Sequence, residues 1–146
     1  MRERKISLCD AIPLISETLS RGLEVSFSPN GVSMLPTFKE GRDTLILVSP
    51  PPRLRKYDVA LFKRESGQYV LHRVIKCKET YTFIGDNQFF SEKNIKHEQI
   101  IARCSAYVRD GKRVELDSLS PRLYARLWHG TRVFRHAIAK LKSFFK

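Results

Sequence analysis

Tyr69-Val70-Leu71-His72-Arg73-Val74-Ile75-Lys76-Cys77 is the run on which the fold turns. It is rich in β-branched residues and bounded by Gly67 on one side and Lys78-Glu79-Thr80 on the other, so it reads as a strand between two turns. Its neighbours repeat the pattern at 58–63 and 81–84. Working outward, 44–48 is an apolar run stopped by Ser49-Pro50-Pro51-Pro52, because consecutive prolines cannot join a ladder. Residues 23–27 alternate apolar and polar, 100–108 give a longer strand, and 113–116 follow the Asp110-Gly111 turn. Many short strands with turns between them predict a mainly β protein, a twisted and partly closed antiparallel sheet. There are no internal repeats.

Helical periodicity frames this body. Leu8, Ile12, Ile15 and Leu19 predict a short helix over 8–21, with Ser7 or Asp10 as its cap and Gly22 as its stop. Pro13 suits that helix only in the first turn. From Pro121 onward Leu123, Leu127, Phe134, Ile138, Leu141 and Phe145 recur at intervals of three, four or seven, with Arg and Lys between them. Gly130-Thr131 is a candidate break. The expected organisation is therefore an N-terminal helical segment (1–22), a β domain (23–118) and a basic amphipathic helical tail (119–146).

The 146 residues carry a formal net charge of +12. Residues 121–146 hold seven Arg or Lys and no Asp or Glu, which leaves +5 for the rest. Such a balance asks for an anionic partner, and an anionic membrane surface is the leading candidate for the tail. Docking of the tail on the protein's own sheet is the competing reading. Nucleic acid ranks third, because no base-reading motif accompanies the charge. Cys9, Cys77 and Cys104 form no CxxC and read as thiols of a reducing compartment. The start, Met1-Arg2-Glu3-Arg4-Lys5, is not that of a signal peptide, and no apolar run of about twenty residues occurs. A cytoplasmic chain, held if at all on the inner membrane face, is expected. His97, His129 and His136 lack ligand-like spacing, so no metal or cofactor is expected.

Chemistry gathers at Gly31-Val32-Ser33-Met34-Leu35-Pro36-Thr37-Phe38. A small hydroxyl stands there on a proline-closed turn, with Met34 expected to pack beneath it. His72 offers a base and Gly85-Asp86-Asn87 an acid, the three ingredients of nucleophilic catalysis. Taken singly, each is an ordinary turn or strand residue. Taken together, Gly31-x-Ser33-Met34-x-Pro36-Thr37, Asp58-Val59-Ala60-Leu61-Phe62, His72-Arg73-Val74-Ile75 and Gly85-Asp86-Asn87 run in the order of the S24/S26 peptidase superfamily. That superfamily joins type I signal peptidases with LexA-like self-cleaving repressors. The resemblance covers roughly residues 25–108. A histidine at the base position is similar to the branch of the endoplasmic-reticulum, archaeal and SipW-type signal peptidases.

The resemblance implies Ser33 as nucleophile, His72 as general base and Asp86 as the associated acid. Lys63 and Lys76 do not occupy the base position. Asp43 stands where the family has the aspartate of a Gly-Asp pair, with Arg42 intervening. Gly31 supplies no hydroxyl, so an oxyanion hole would rest on backbone N–H groups, including that of Ser33. The expected activity is cleavage of a leader or signal-type peptide after small residues, with a peptide or protein as partner. A LexA- or UmuD-like self-cleaving regulator is the nearest alternative, but residues 1–30 are too short for a DNA-binding domain and no Ala-Gly or Cys-Gly dipeptide is present. A non-catalytic binding module on a degenerate peptidase fold is the alternative from another class.

Overall fold

The computed structural model describes residues 8–145. Ser7, Lys146 and the basic start at 1–5 lie outside them. Eight strands build the body: β1 (Val25–Phe27), β2 (Asp43–Val48), β3 (Val59–Lys63), β4 (Tyr69–Cys77), β5 (Tyr81–Ile84), β6 (Glu92–Ile95), β7 (Ile100–Arg109) and β8 (Lys112–Glu115). They form one antiparallel sheet in the order β1-β2-β7-β3-β4-β5-β6, with β8 beside β7. β7 is the spine. Its first half pairs with β3 as far as Cys104 and its second half with β8 from Ala106, while β2 runs along its other edge. The sheet stays open, ending in β1 and β6. Both are only three or four residues long, a common way to blunt an exposed edge.

Successive side chains on a strand point to opposite faces, and β3 shows what that does here. Val59 and Leu61 enter one apolar cluster with Ile15, Leu19, Leu45, Leu47 and Phe38. Ala60 and Phe62 enter a second with Val74, Tyr81, Phe83 and Ile95. Both faces of the central strand are thus covered, which explains its unbroken apolar run. The second cluster centres on Phe62 and Phe83, whose rings lie 4.4 Å apart.

β6 and a one-turn 3₁₀ helix behind it, His97–Gln99, are not expected from the sequence pattern. Glu92-Lys93-Asn94-Ile95 carries no apolar alternation because only its ends face inward, so pattern reading takes it for a loop. The N-terminal helix, α1, spans Leu8–Ser20 and buries Ile12, Ile15 and Leu19 against the first cluster. Pro13 lies past the first turn of the described helix, contrary to expectation. It is tolerated there on the solvent side, away from the packed stripe.

The tail forms two helices, α2 (Leu119–Gly130) and α3 (Arg132–Phe144), separated at Gly130-Thr131. α2 docks on the body: Ala125 is buried, and Trp128 Nε1 donates to the Asp86 carbonyl at 2.8 Å. α3 adds no buried residue.

Candidate active site

The serine turn is anchored from below. Met34 and Phe38, four residues apart, are both buried in the first cluster, and the Phe38 N–H donates to the Met34 carbonyl at 3.0 Å. Gly31 starts the turn at φ 82°, a left-handed conformation that costs glycine little. Between these fixed points the half-buried Ser33 faces a cleft.

The Gly85-Asp86-Asn87 block grips this turn from the side. The Asn87 N–H donates to the Ser33 carbonyl at 2.9 Å, and Asn87 Nδ2 to the Val32 carbonyl at 3.1 Å. Gly85 makes the approach possible, since a Cβ there would stand 2.6 Å from the Ser33 carbonyl oxygen. The Thr37 hydroxyl donates to Asp86 Oδ2. Asp43 holds the far end. It is buried, it takes Arg109 Nε at 2.6 Å and Arg42 Nε at 3.1 Å, and both guanidinium groups also reach the Thr37 carbonyl. Burial raises the Asp43 pKa, but the bonds from Arg109, Arg42 and the Lys39 N–H outweigh it and keep the carboxyl below its ordinary value. Arg42 and Asp43 thus act as a clamp on the turn.

His72 and Arg73 are adjacent on β4 and therefore point to opposite faces. His72, 2% exposed, shares its face with Ala60, Phe62 and Val74. The acid on that face is Glu92, which pairs across the ladder with Phe83, itself paired with Val74. His72 Nδ1 lies 3.0 Å from Glu92 Oε2. Desolvation raises the Glu92 pKa, but Arg64 and His72 outweigh it and keep the carboxyl ionised. An ionised carboxylate only accepts, so His72 carries its proton on Nδ1 and leaves Nε2 with a free lone pair. Burial lowers the His72 pKa, with the Glu92 charge opposing it.

Asp86 belongs to the other face. It takes Arg73 Nε and Nη2, each at 2.9 Å, and His129 Nε2 at 2.8 Å. Burial raises its pKa, yet the Arg73 charge and the bonds from His129, Arg73 and Thr37 hold the carboxyl well below the usual carboxylate range. Ser33 and His72 are thus brought to one cleft, whereas Asp86 is directed to Arg73, the serine turn and α2. The carboxylate on the histidine is Glu92.

That cleft has a volume of about 400 Å³ and is lined by Ser33, His72, Arg64, Gln88, Tyr69 and Phe27 among others. No hydrogen bond joins Ser33 to His72 among the described residues; what they share is the lining of this cleft. The arrangement contains a hydroxyl on a rigid turn, a neutral buried imidazole of fixed tautomer and an ionised carboxylate behind it. Those parts can deprotonate a serine during attack on a carbonyl. A second cavity of about 410 Å³ lies under α2, against Tyr57, Tyr107 and Tyr124. Its only thiol, Cys104, is pushed up to about 12 by burial and stays protonated. Among the described residues no group of three or more His, Cys, Asp or Glu gathers as a metal site would.

Sequence reading singles out neither Glu92 nor Arg64, quotes Thr37 only as part of the serine block, and gives His129 no role. Glu92 and Arg64 become visible only with strand register, and His129 only once α2 is placed. Comparison of the chain with protein-family models and with curated proteins gives no match.

Proposed function

We propose that this protein is a serine endopeptidase of the signal-peptidase-like class, cutting a leader or signal-type peptide. The observation that carries the reading is the buried His72, its Nδ1 on Glu92, lining the same cleft as Ser33. Four sequence blocks in the order of the S24/S26 peptidases add weight to it. In the proposed reaction Ser33 Oγ attacks the scissile carbonyl as its proton passes to His72 Nε2. The imidazolium is stabilised by Glu92, and the oxyanion by backbone N–H groups of the turn. His72 then protonates the leaving amine, and the freed product departs. Water, deprotonated by the same nitrogen, releases the acyl group from Ser33.

Asp86 takes part as a positioning residue: with Asn87 and Thr37 it fixes the angle of the nucleophile turn. A serine-directed acylating probe tests the reading. Labelling of the native chain that disappears in Ser33→Ala and falls sharply in His72→Ala is expected. Label that stays on Ser33→Ala overturns the nucleophile. Absence of labelling and of peptide turnover in the native chain favours the non-catalytic module instead.

A further inference from the structure

α3 is inverted relative to an ordinary amphipathic helix of a globular protein. At about 100° per residue, Phe134, Ile138 and Leu141, continued by Phe145 at the helix C-cap, form one stripe, widened on one side by Val133, Ala137 and Phe144. A helix resting on its own sheet buries such a stripe. Here Phe134 is 72%, Phe144 79% and Phe145 87% exposed. The helix meets the rest of the molecule through its polar side. The Arg135 guanidinium stacks on the Trp128 ring at 3.7 Å and donates to the Trp128 carbonyl at 2.7 Å, and the His136 ring lies 4.7 Å from that of Phe89. Arg132 and Arg135 are accordingly the half-buried positions of the helix. Leu119, Leu123 and Leu127 of α2 add further exposed apolar surface.

The charge around the stripe says what covers it. Lys140 and Lys142 flank its two edges on the helical wheel, and no Asp or Glu follows Asp117 in the chain. A second copy of this chain would bring like charges together with no acid on α2 or α3 to pair with them, which is costly. An anionic bilayer meets both demands, since it takes apolar side chains at the acyl boundary and cations among its headgroups. No helix among the described residues is long and apolar enough to cross a membrane. At roughly 1.5 Å per residue α3 suits a position lying in the interface plane.

We propose that α3 is an interfacial anchor for an anionic lipid surface, with Phe134, Ile138, Leu141 and Phe145 in the acyl boundary and Lys140 and Lys142 at the headgroups. The proposal is independent of the peptidase reading. Sedimentation of the full chain with phosphatidylcholine vesicles, and with vesicles containing about one-third phosphatidylglycerol, tests it. Binding to the anionic vesicles only is expected, weakening as salt is added. Phe134→Glu/Ile138→Glu, exposed positions that leave the body's packing alone, is expected to lose vesicle binding at least about a hundredfold. Lys140→Gln and Lys142→Gln are each expected to weaken it about fivefold. Equal binding to neutral vesicles, or unaltered binding by the double glutamate variant, overturns the proposal. So does failure to bind either vesicle combined with self-association that Phe134→Glu abolishes, because a second copy then covers the stripe.

Discussion

Glu92 and burial act on His72 in opposite directions. Burial favours the neutral imidazole, whereas the carboxylate favours the charged one, and the net result lies below the ordinary value of 6.5. In the proposed reaction His72 is therefore neutral, and able to take the serine proton, down to a pH below 6.5, where protonation switches it off. The acid limb of kcat/KM is expected on that side of 6.5. Glu92→Gln removes the opposing influence, so the limb should move to still lower pH while the rate falls roughly 10²–10⁴-fold. A Glu92 that served packing alone would change stability and leave the limb in place. Asp86 gives the matching experiment on the other face. Asp86→Asn leaves Arg73 buried without a counter-charge and should cost about 3–5 kcal/mol in urea unfolding at neutral pH. Because the folded carboxyl lies below the ordinary 3.8, the unfolded chain binds the proton first as pH drops. The stability Asp86 contributes is present above pH 3.8 and lost as pH falls below it, so native and variant should converge there.

At the scale of elements, strand parity decides which carboxylate meets His72 and which meets Arg73. His72, Val74, Phe83 and Glu92 share one face by register, while Arg73 pairs with Ile84, two residues before Asp86, on the other. The sequence marks β3, β4, β5 and β7 because their inward residues are apolar. It marks Ser33 and His72 through their blocks. It does not mark Glu92, whose strand is an edge with little inside to be apolar against, so Asp86, the acid beside an apolar run, attracts the assignment. Helix α2 escapes in the same way: its periodicity is plain, but nothing local says that Trp128 and His129 end on Asp86. The docking of two loops gives a direct test of the positioning role. Gly85→Ala places a methyl 2.6 Å from the Ser33 carbonyl oxygen, a backbone atom that can shift only with the turn that carries it. The serine turn must move, and kcat is expected to fall about a hundredfold or more with KM little changed. Full activity in a folded Gly85→Ala protein would show that the contact does not set the nucleophile's angle.

Over the whole molecule, the tail divides into a part that completes the fold and a part that faces outward. α2 closes over Asp86 through Tyr124, Trp128 and His129, the Tyr124 hydroxyl lying 3.0 Å from that of Thr37. α3 contributes no buried residue and touches the body mainly through Arg135 and His136. Two shortened chains separate these contributions. Ending at Gly130 removes the stacked Arg135 and should cost no more than about 1 kcal/mol. It should keep probe labelling at Ser33 and lose vesicle binding. Ending at Ser118 also strips the Trp128 indole from the body and opens the Arg73–Asp86 pair to water, with an expected cost of about 3–5 kcal/mol. The serine turn, tied to Asp86 through Thr37, should then loosen and labelling slow. Thermal unfolding and labelling rates of the two chains are the measurement. Equal stability and equal labelling in the chain ending at Ser118 would show that the β body alone holds the site, and that α2 serves only to carry α3.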